Sequence, residues 1–390
     1  MNSKIKRRNF VKYSALSGAG LALIPKAFPQ SALYEKLIDD VKPKTNIESA
    51  LKYPKTEDSM PGKFPSQVVK VTHSESIKED QINESIVYEM VKDGMLKLTG
   101  KKNLEDAYRL FFSDKDRIGL KVNPVAGPTL STSLEITRVI IRQLTEIGIP
   151  KENLIIWDRR EFELYDCGYT EENFPGIKII GTEQKDKGGS FYDQEGKLYG
   201  EKMIDKDWYY YAETEEKYDA ETLPYMVNEG THSYFSKIVT QMVDKIINIP
   251  IMKNAGASIT ICMKNLAYGS VSNTGRLHKQ LWSETSAEVC AFPPLRDKVV
   301  LNIVDGIKGC FDGGPGASPQ FFFNYKTILL GTDPVAVDRI GYDIVIKKRI
   351  EEKQQEKESV RGKQFLELAN KYGLGESDIS KINLSEINLG

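Results

Sequence analysis

Short apolar runs alternate along this chain with stretches of helical periodicity, and that alternation restricts its fold more than any other feature. Gln67-Val-Val-Lys-Val-Thr72 reads as a first strand. After it, Ile82, Ile86, Met90 and Val91 recur at helical spacing within Gln81–Leu98. Arg117-Ile-Gly-Leu-Lys-Val-Asn123 is a second strand, stopped by Pro124, whose ring removes a ladder donor. Ser131-Thr-Ser133 caps a helix with Leu134, Ile140, Ile141, Leu144 and Ile147 on its apolar face and Gly148 at its end. Asn153-Leu-Ile-Ile-Trp-Asp158 is a third strand. Strand, helix, strand in succession predicts an α/β architecture: a mostly parallel, Rossmann-like sheet flanked by helices.

The pattern breaks at 182–230, which is rich in Lys, Glu, Asp, Gly and Tyr and contains Trp208-Tyr-Tyr-Tyr211. We read it as a β-rich insertion whose aromatic residues pack the insertion itself. Regularity resumes with strands at Asp244–Ile251, Lys298–Val304 and Tyr325–Leu330. Helices are expected around Ala257–Tyr268 and over Pro334–Arg349. The organisation is an N-terminal segment 1–30, an extended segment 31–66 holding Pro43, Pro54, Pro61 and Pro65, an α/β domain 67–350 with the 182–230 insertion, and a charged helical tail 351–390 ending in a short polar stretch. A short helix is expected near Ser31–Val41.

Charge is unevenly distributed. The 390 residues hold 54 Lys and Arg against 55 Asp and Glu, a net charge of −1. Residues 1–30 carry Lys4, Lys6, Arg7, Arg8, Lys12 and Lys26 and no acid, so the rest has 48 bases against 55 acids. That acidic remainder argues against a nucleic-acid partner. Tyr13–Ile24 is a mildly apolar stretch of 12 residues, too short to span a bilayer. A basic start followed by a short apolar region is the pattern of an export signal. Arg7-Arg8 with Phe10 and Lys12 resembles a twin-arginine signal, which implies engagement of the twin-arginine translocation machinery and a periplasmic or extracytoplasmic location. Ala27-Phe28-Pro29 and Gln30-Ser31-Ala32 are imperfect cleavage sites, leaving an uncleaved membrane anchor as an alternative. Cys167, Cys262, Cys290 and Cys310 form no Cys-x-x-Cys pair, so no iron–sulfur cluster is expected, and buried free thiols are the favoured state.

In open α/β sheets ligands bind beyond the carboxyl ends of the strands. Lys121 and Asn123 end the second strand, and Asp158 ends the third with Arg159 and Arg160 behind it. Lys253 and Asn254 follow the strand near 250, Asp305-Gly306 the strand at 298–304, and Thr332-Asp333-Pro334 the last one. Taken singly, each fits turn or cap chemistry; five such ends at one edge point to a site. Lys264-Asn265 interrupts an apolar run, and His278 follows the Gly-containing stretch Ser272–Arg276. Of His73, His232 and His278, the last is best placed for acid–base work. Asp312-Gly-Gly-Pro-Gly316 matches no phosphate-loop spacing.

Several of these blocks, in order, resemble the domain of unknown function 362 family. They are Ile118-Gly-Leu-Lys121-Val-Asn123, Asn248-Ile-Pro250-Ile-Met-Lys253, Thr260-Ile-Cys-Met-Lys264-Asn265-Leu266, His278, Leu301-Asn-Ile-Val-Asp305-Gly306, Gly313-Gly-Pro315 and Asp333-Pro-Val-Ala-Val-Asp338, a resemblance running over about 67–350. It implies an α/β fold and a polar pocket using Lys121, Asn123, Lys253, Lys264, Asn265, His278, Asp305 and Asp338, and it implies no activity. Some relatives carry ferredoxin-type cysteine clusters, which this chain lacks. Members often place a histidine where this chain has Ala255.

The expectation is an enzyme acting on a small anionic substrate. Lys121, Asn123, Asp158, Lys253 and Asn265 would bind the ligand, and His278, Asp305 and Lys264 would be catalytic. Asp305 and Asp338 would hold a divalent metal such as magnesium or manganese, since carboxylate oxygens suit hard cations. The alternative is a non-catalytic ligand-binding or cofactor-maturation protein for an exported complex. A third reading makes the polar residues determinants of the fold.

Overall fold

A computed structural model describes residues 42–216, 230–256, 258–354 and 360–390. The expected signal and the helix near Ser31–Val41 lie outside those residues. In chain order the elements that position the site begin with β1 (Gln67–Thr72), α1 (Glu84–Thr99), β2 (Ile118–Lys121), α2 (Leu134–Glu146), β3 (Leu154–Arg160) and β4 (Lys178–Glu183). Then come β5 (Ile204–Tyr211), β6 (His232–Ser236), β7 (Lys245–Asn248), β8 (Ile251–Ala255), β9 (Ser258–Thr260), α3 (Cys262–Ser270) and α4 (Trp282–Glu288). The last are β10 (Val299–Cys310), β11 (Thr327–Gly331), α5 (Pro334–Glu351), α6 (Val360–Lys371) and β12 (Asn383–Asn388).

The main sheet runs in the order β12-β1-β11-β10-β7-β2-β3-β4, with β8 and β9 attached beside β10, among 11 strands in all. Neighbours are parallel except at β11, which is antiparallel to both β1 and β10. This is the mostly parallel α/β sheet the alternation predicts. Successive residues of a strand point to opposite faces, so Ile155 and Trp157 of β3 join one apolar cluster while Leu154 and Ile156 join the other. On the first face lie Met263 and Leu266 of α3, Val335 and Ile340 of α5, and Phe365 and Leu366 of α6. On the second lie Val87, Met90 and Met95 of α1 with Ile136, Ile140 and Leu144 of α2. The result is a helix–sheet–helix sandwich, buried on both faces as parallel strands require.

Four elements differ from the sequence reading. The stretch Asp244–Ile251 is two strands, because Pro250 cannot continue a ladder, and the chain steps from β7 beside one part of β10 to β8 beside the next. Part of the expected helix at Ala257–Tyr268 is β9, which turns back on β8 before α3 begins. The short polar stretch that ends the tail is a strand the sequence reading does not foresee: β12 pairs in parallel with β1, Gln67 opposite Asn383 through Thr72 opposite Asn388. Its polar, half-exposed residues suit an edge strand and carry little apolar periodicity. Finally, because β11 runs backwards, Thr332 and Asp333 lie at the opposite end of the sheet from the ends of β2 and β3. There Asp333 caps α5 through Val335 N and Ala336 N and also accepts from Ser66 N and Glu376 N.

From the insertion, β5 pairs antiparallel with β6, which lies just beyond it. Tyr210 is buried and donates its hydroxyl to Glu288, whereas Tyr209, Tyr211 and Tyr234 surround the ring of His232 at centroid distances of 4.4–5.6 Å. The aromatic run therefore packs. The four cysteines are free and buried. Among the described residues, no helix is long and apolar enough to cross a membrane.

Candidate functional site

The carboxyl ends of β2 and β3, the strand β8 and the helix α3 meet around a cavity of about 210 Å³. Its lining includes Asn123, Asp158, Arg159, Lys253, Lys264, Asn265 and His278. Helical spacing explains how α3 contributes twice. Asn265 and Gly269, four residues apart, look toward Lys121, while Lys264 and Tyr268, offset by one, share the cavity side.

Lys121 lies at the back wall, fully buried. Its ammonium forms an ion pair with Asp158 and donates to Val122 O at 2.7 Å and Asn265 Oδ1 at 3.0 Å. Burial pushes its pKa down, and the Asp158 carboxylate pushes back. Such a pair, with three acceptors for three donors, is an internal brace whose partners are fully used.

Behind it runs a chain of amides. Asn302 accepts from Asn248 Nδ2 at 2.9 Å, Asn248 accepts from Asn265 Nδ2 at 2.8 Å, and Asn265 accepts from Asn123 Nδ2 at 2.9 Å. Asn123 then accepts from Lys253 Nζ at 2.9 Å. A primary amide donates and accepts at once, so four of them carry a hydrogen-bonded line from mid-sheet to the cavity with no buried polar group left over. Lys253 makes one further bond, to Val125 O at 2.6 Å. Those two bonds use two of the three hydrogens of its ammonium form, and burial, with Lys264 adding repulsion, pulls Lys253 down to about 7.

Lys264 differs from both. It is only 6% exposed, yet among the described residues its amine makes no hydrogen bond or ion pair. The rings of Tyr268 and Trp282 flank it, each 5.4 Å from the nitrogen. Desolvation lowers it to about 8. Thr260 Oγ1, also buried and on the lining, has no partner among the described residues either. Arg159 bonds Thr274 Oγ1 and reaches Glu183 at 3.4 Å, and Glu183 also takes Arg160 at 3.1 Å. His278 stands at the rim with an exposed edge, its ring 4.5 Å from that of Tyr268. Nδ1 lies 3.1 Å from Thr274 O, which fixes the tautomer with the proton there and leaves Nε2 as the acceptor. The packed surroundings of the ring, then Lys264 and Arg159, hold its pKa below the ordinary histidine value, an effect its exposed edge tempers.

Counting pairs, Lys121 is matched by Asp158, and Arg159 and Arg160 share Glu183 and Glu163. Among the described residues, the unmatched charge in the cavity is that of Lys253 and Lys264. The sequence reading placed Lys121, Asn123, Asp158, Lys253, Lys264, Asn265 and His278 as site residues, and the fold brings all seven to this one place.

It does not bring Asp305 or Asp338 there. Asp305 sits within β10 rather than at its end, opposite Ile251 and Ile328. Its carboxylate accepts from Ser133 N at 2.8 Å and Ile307 N at 3.2 Å, beside a separate cavity near the start of α2. Asp338 projects from α5 and accepts Cys262 N and Met263 N at 2.6 and 2.9 Å, capping α3. Burial raises it to about 7 in spite of both donors. Each carboxylate is consumed by backbone amides of a different helix start or strand, so the two do not form the magnesium or manganese site expected of them. Among the described residues no three His, Cys, Asp or Glu side chains are grouped to hold a metal. The residue types alone could not reveal this, because an aspartate capping a distant helix looks like a ligand in sequence.

Missed by the sequence reading were Asn248 and Asn302, the inner half of the amide chain, and Trp282. An asparagine inside an otherwise apolar strand, as in Val299-Val-Leu-Asn302-Ile-Val, is the signal that was available.

With that geometry in view, the chain can be set beside known proteins. Residues 214–343 match the family described as Domain of unknown function (DUF362). The matched segment contributes Lys253, Lys264, Asn265 and His278 to the cavity, whereas Lys121, Asn123 and Asp158 come from the part of the sheet before it. No curated protein matches the chain.

Proposed function

We infer that the chain is an enzyme that binds a small anionic substrate in this cavity and moves protons on it, using Lys253, Lys264 and the free Nε2 of His278. One observation carries this reading: two lysines share a buried cavity in which, among the described residues, neither has a carboxylate of its own. Two like charges in a desolvated pocket are unfavourable, and a bound anion is what relieves them. Groups poised near neutral pH are also those suited to acid–base work. The amide chain and the Lys121–Asp158 brace support the reading by holding the cavity wall rigid. The N-terminal sequence supports a site of action outside the cytoplasm, reached through the twin-arginine translocation machinery.

The test is calorimetric titration with inorganic phosphate at pH 8 in buffers of different ionisation heat. Binding should draw up about one proton per phosphate, since an anion raises both lysine pKa values. Lys253→Met with Lys264→Met should abolish both binding and uptake. Absence of binding, or binding without proton uptake, would sink the proposal. Binding with uptake but no turnover of any small anion would favour the ligand-binding or cofactor-maturation role instead.

A further inference from the structure

We propose that Lys264 is a nucleophile that forms an imine with the carbonyl group of a small anionic aldehyde or ketone, such as an oxo acid. This rests on the anion-binding reading above and names its substrate class. The three buried lysines are not equivalent. Lys121 is held by Asp158, Val122 O and Asn265, and Lys253 by Asn123 and Val125 O. Lys264 alone is desolvated without a hydrogen-bonded partner among the described residues, between two aromatic rings and facing the cavity. An amine attacks a carbonyl only when its lone pair is free. A desolvated lysine beside a second cationic amine is the arrangement that keeps it so. The unpartnered Thr260 Oγ1 on the same wall is a ready donor or acceptor for the carbonyl oxygen.

The step balances without an oxidant or reductant. The Lys264 lone pair forms the C–N bond as the C=O π pair moves onto oxygen. The Lys253 ammonium has one hydrogen beyond those given to Asn123 and Val125 O, and it protonates that oxygen. Neutral Lys253 then removes the surplus proton from nitrogen. Returned to the hydroxyl, that proton expels water as the C–O bond breaks, leaving a protonated C=N bond and a neutral Lys253.

The experiment incubates the full chain with glyoxylate and sodium borohydride and maps the reduced adduct by peptide mass spectrometry. Lys264 should be labelled faster than any other lysine by an order of magnitude, and inorganic phosphate should slow that labelling. Lys264→Arg, which keeps the charge and cannot form the imine, should lose the adduct. Labelling spread over surface lysines in proportion to their exposure would overturn the proposal. If phosphate still binds with proton uptake in that case, the imine alone is wrong. If phosphate does not bind at all, the anion reading falls with it.

Discussion

A β-carbon placed on Gly269 would lie 2.3 Å from Lys121 Cε and 2.6 Å from its amine. The helix α3 thus approaches the buried ion pair as closely as a backbone can, and only glycine permits it. Gly269→Ala should cost about 1–3 kcal/mol through overpacking, and more if Lys121 is forced from Asp158. Urea unfolding of the variant measures the loss. An unchanged midpoint would mean that the brace is looser than described.

The pH dependence of stability should carry the signature of Lys253. Its pKa is about 7 folded against an ordinary 10.5, so between those values the unfolded chain holds a proton that the folded one lacks. Stability contributed by this group therefore rises as pH climbs from about 7 toward 10.5, and the penalty is fully present below 7. Each unit corresponds to about 1.4 kcal/mol, so Lys253→Met should flatten a slope worth a few kcal/mol. Chemical denaturation at intervals from pH 6 to 10 would show it, and equal slopes in both proteins would refute the assignment.

Asp305 and Asp338 should behave as structural caps. Asp338→Asn retains one acceptor oxygen for α3 and should cost about 1–2 kcal/mol. Asp305→Asn should cost a similar amount and leave phosphate affinity in the lysine cavity unaltered. Thermal unfolding and titration together separate this from a metal role, for which either variant would abolish stabilisation by added manganese.

Asn265 is the junction of the amide chain, accepting from Lys121 and Asn123 and donating to Asn248. Asn265→Leu keeps the volume, leaves Asn123 Nδ2 and Asn248 Oδ1 without that partner and takes one of Lys121's three acceptors, at about 1–3 kcal/mol each. Adding Asn248→Leu should then cost less than it does alone, because its own partner is already gone. Additive losses in the double-mutant cycle would show that the chain does not act as a unit.

Much of this is legible in the sequence. The alternation of apolar runs with helical periodicity points to the sheet, the residues that end strands supply Lys121, Asn123, Asp158 and Lys253 to the cavity or its back wall, and the polar break in an apolar run adds Lys264 and Asn265, with His278 beyond it. What failed was direction and reach. Sequence cannot say that β11 runs backwards, so Asp333 was grouped with strand ends it never meets. Nor can it say that Asp338 reaches from one helix to the start of another, because the partner is a backbone amide with no identity of its own. Asn248 and Asn302 were invisible as a pair, since only the register of β7 on β10 sets them face to face.

The pairing of β12 on β1 also has a consequence in time. Gln67 meets Asn383 across almost the whole described chain. A contact between such distant positions closes a very long loop and so forms late. Until it forms, β1 presents an open row of amides and carbonyls that any other extended segment can occupy. The vulnerable interval for this protein is therefore the one between the completion of its interior and the arrival of its final strand.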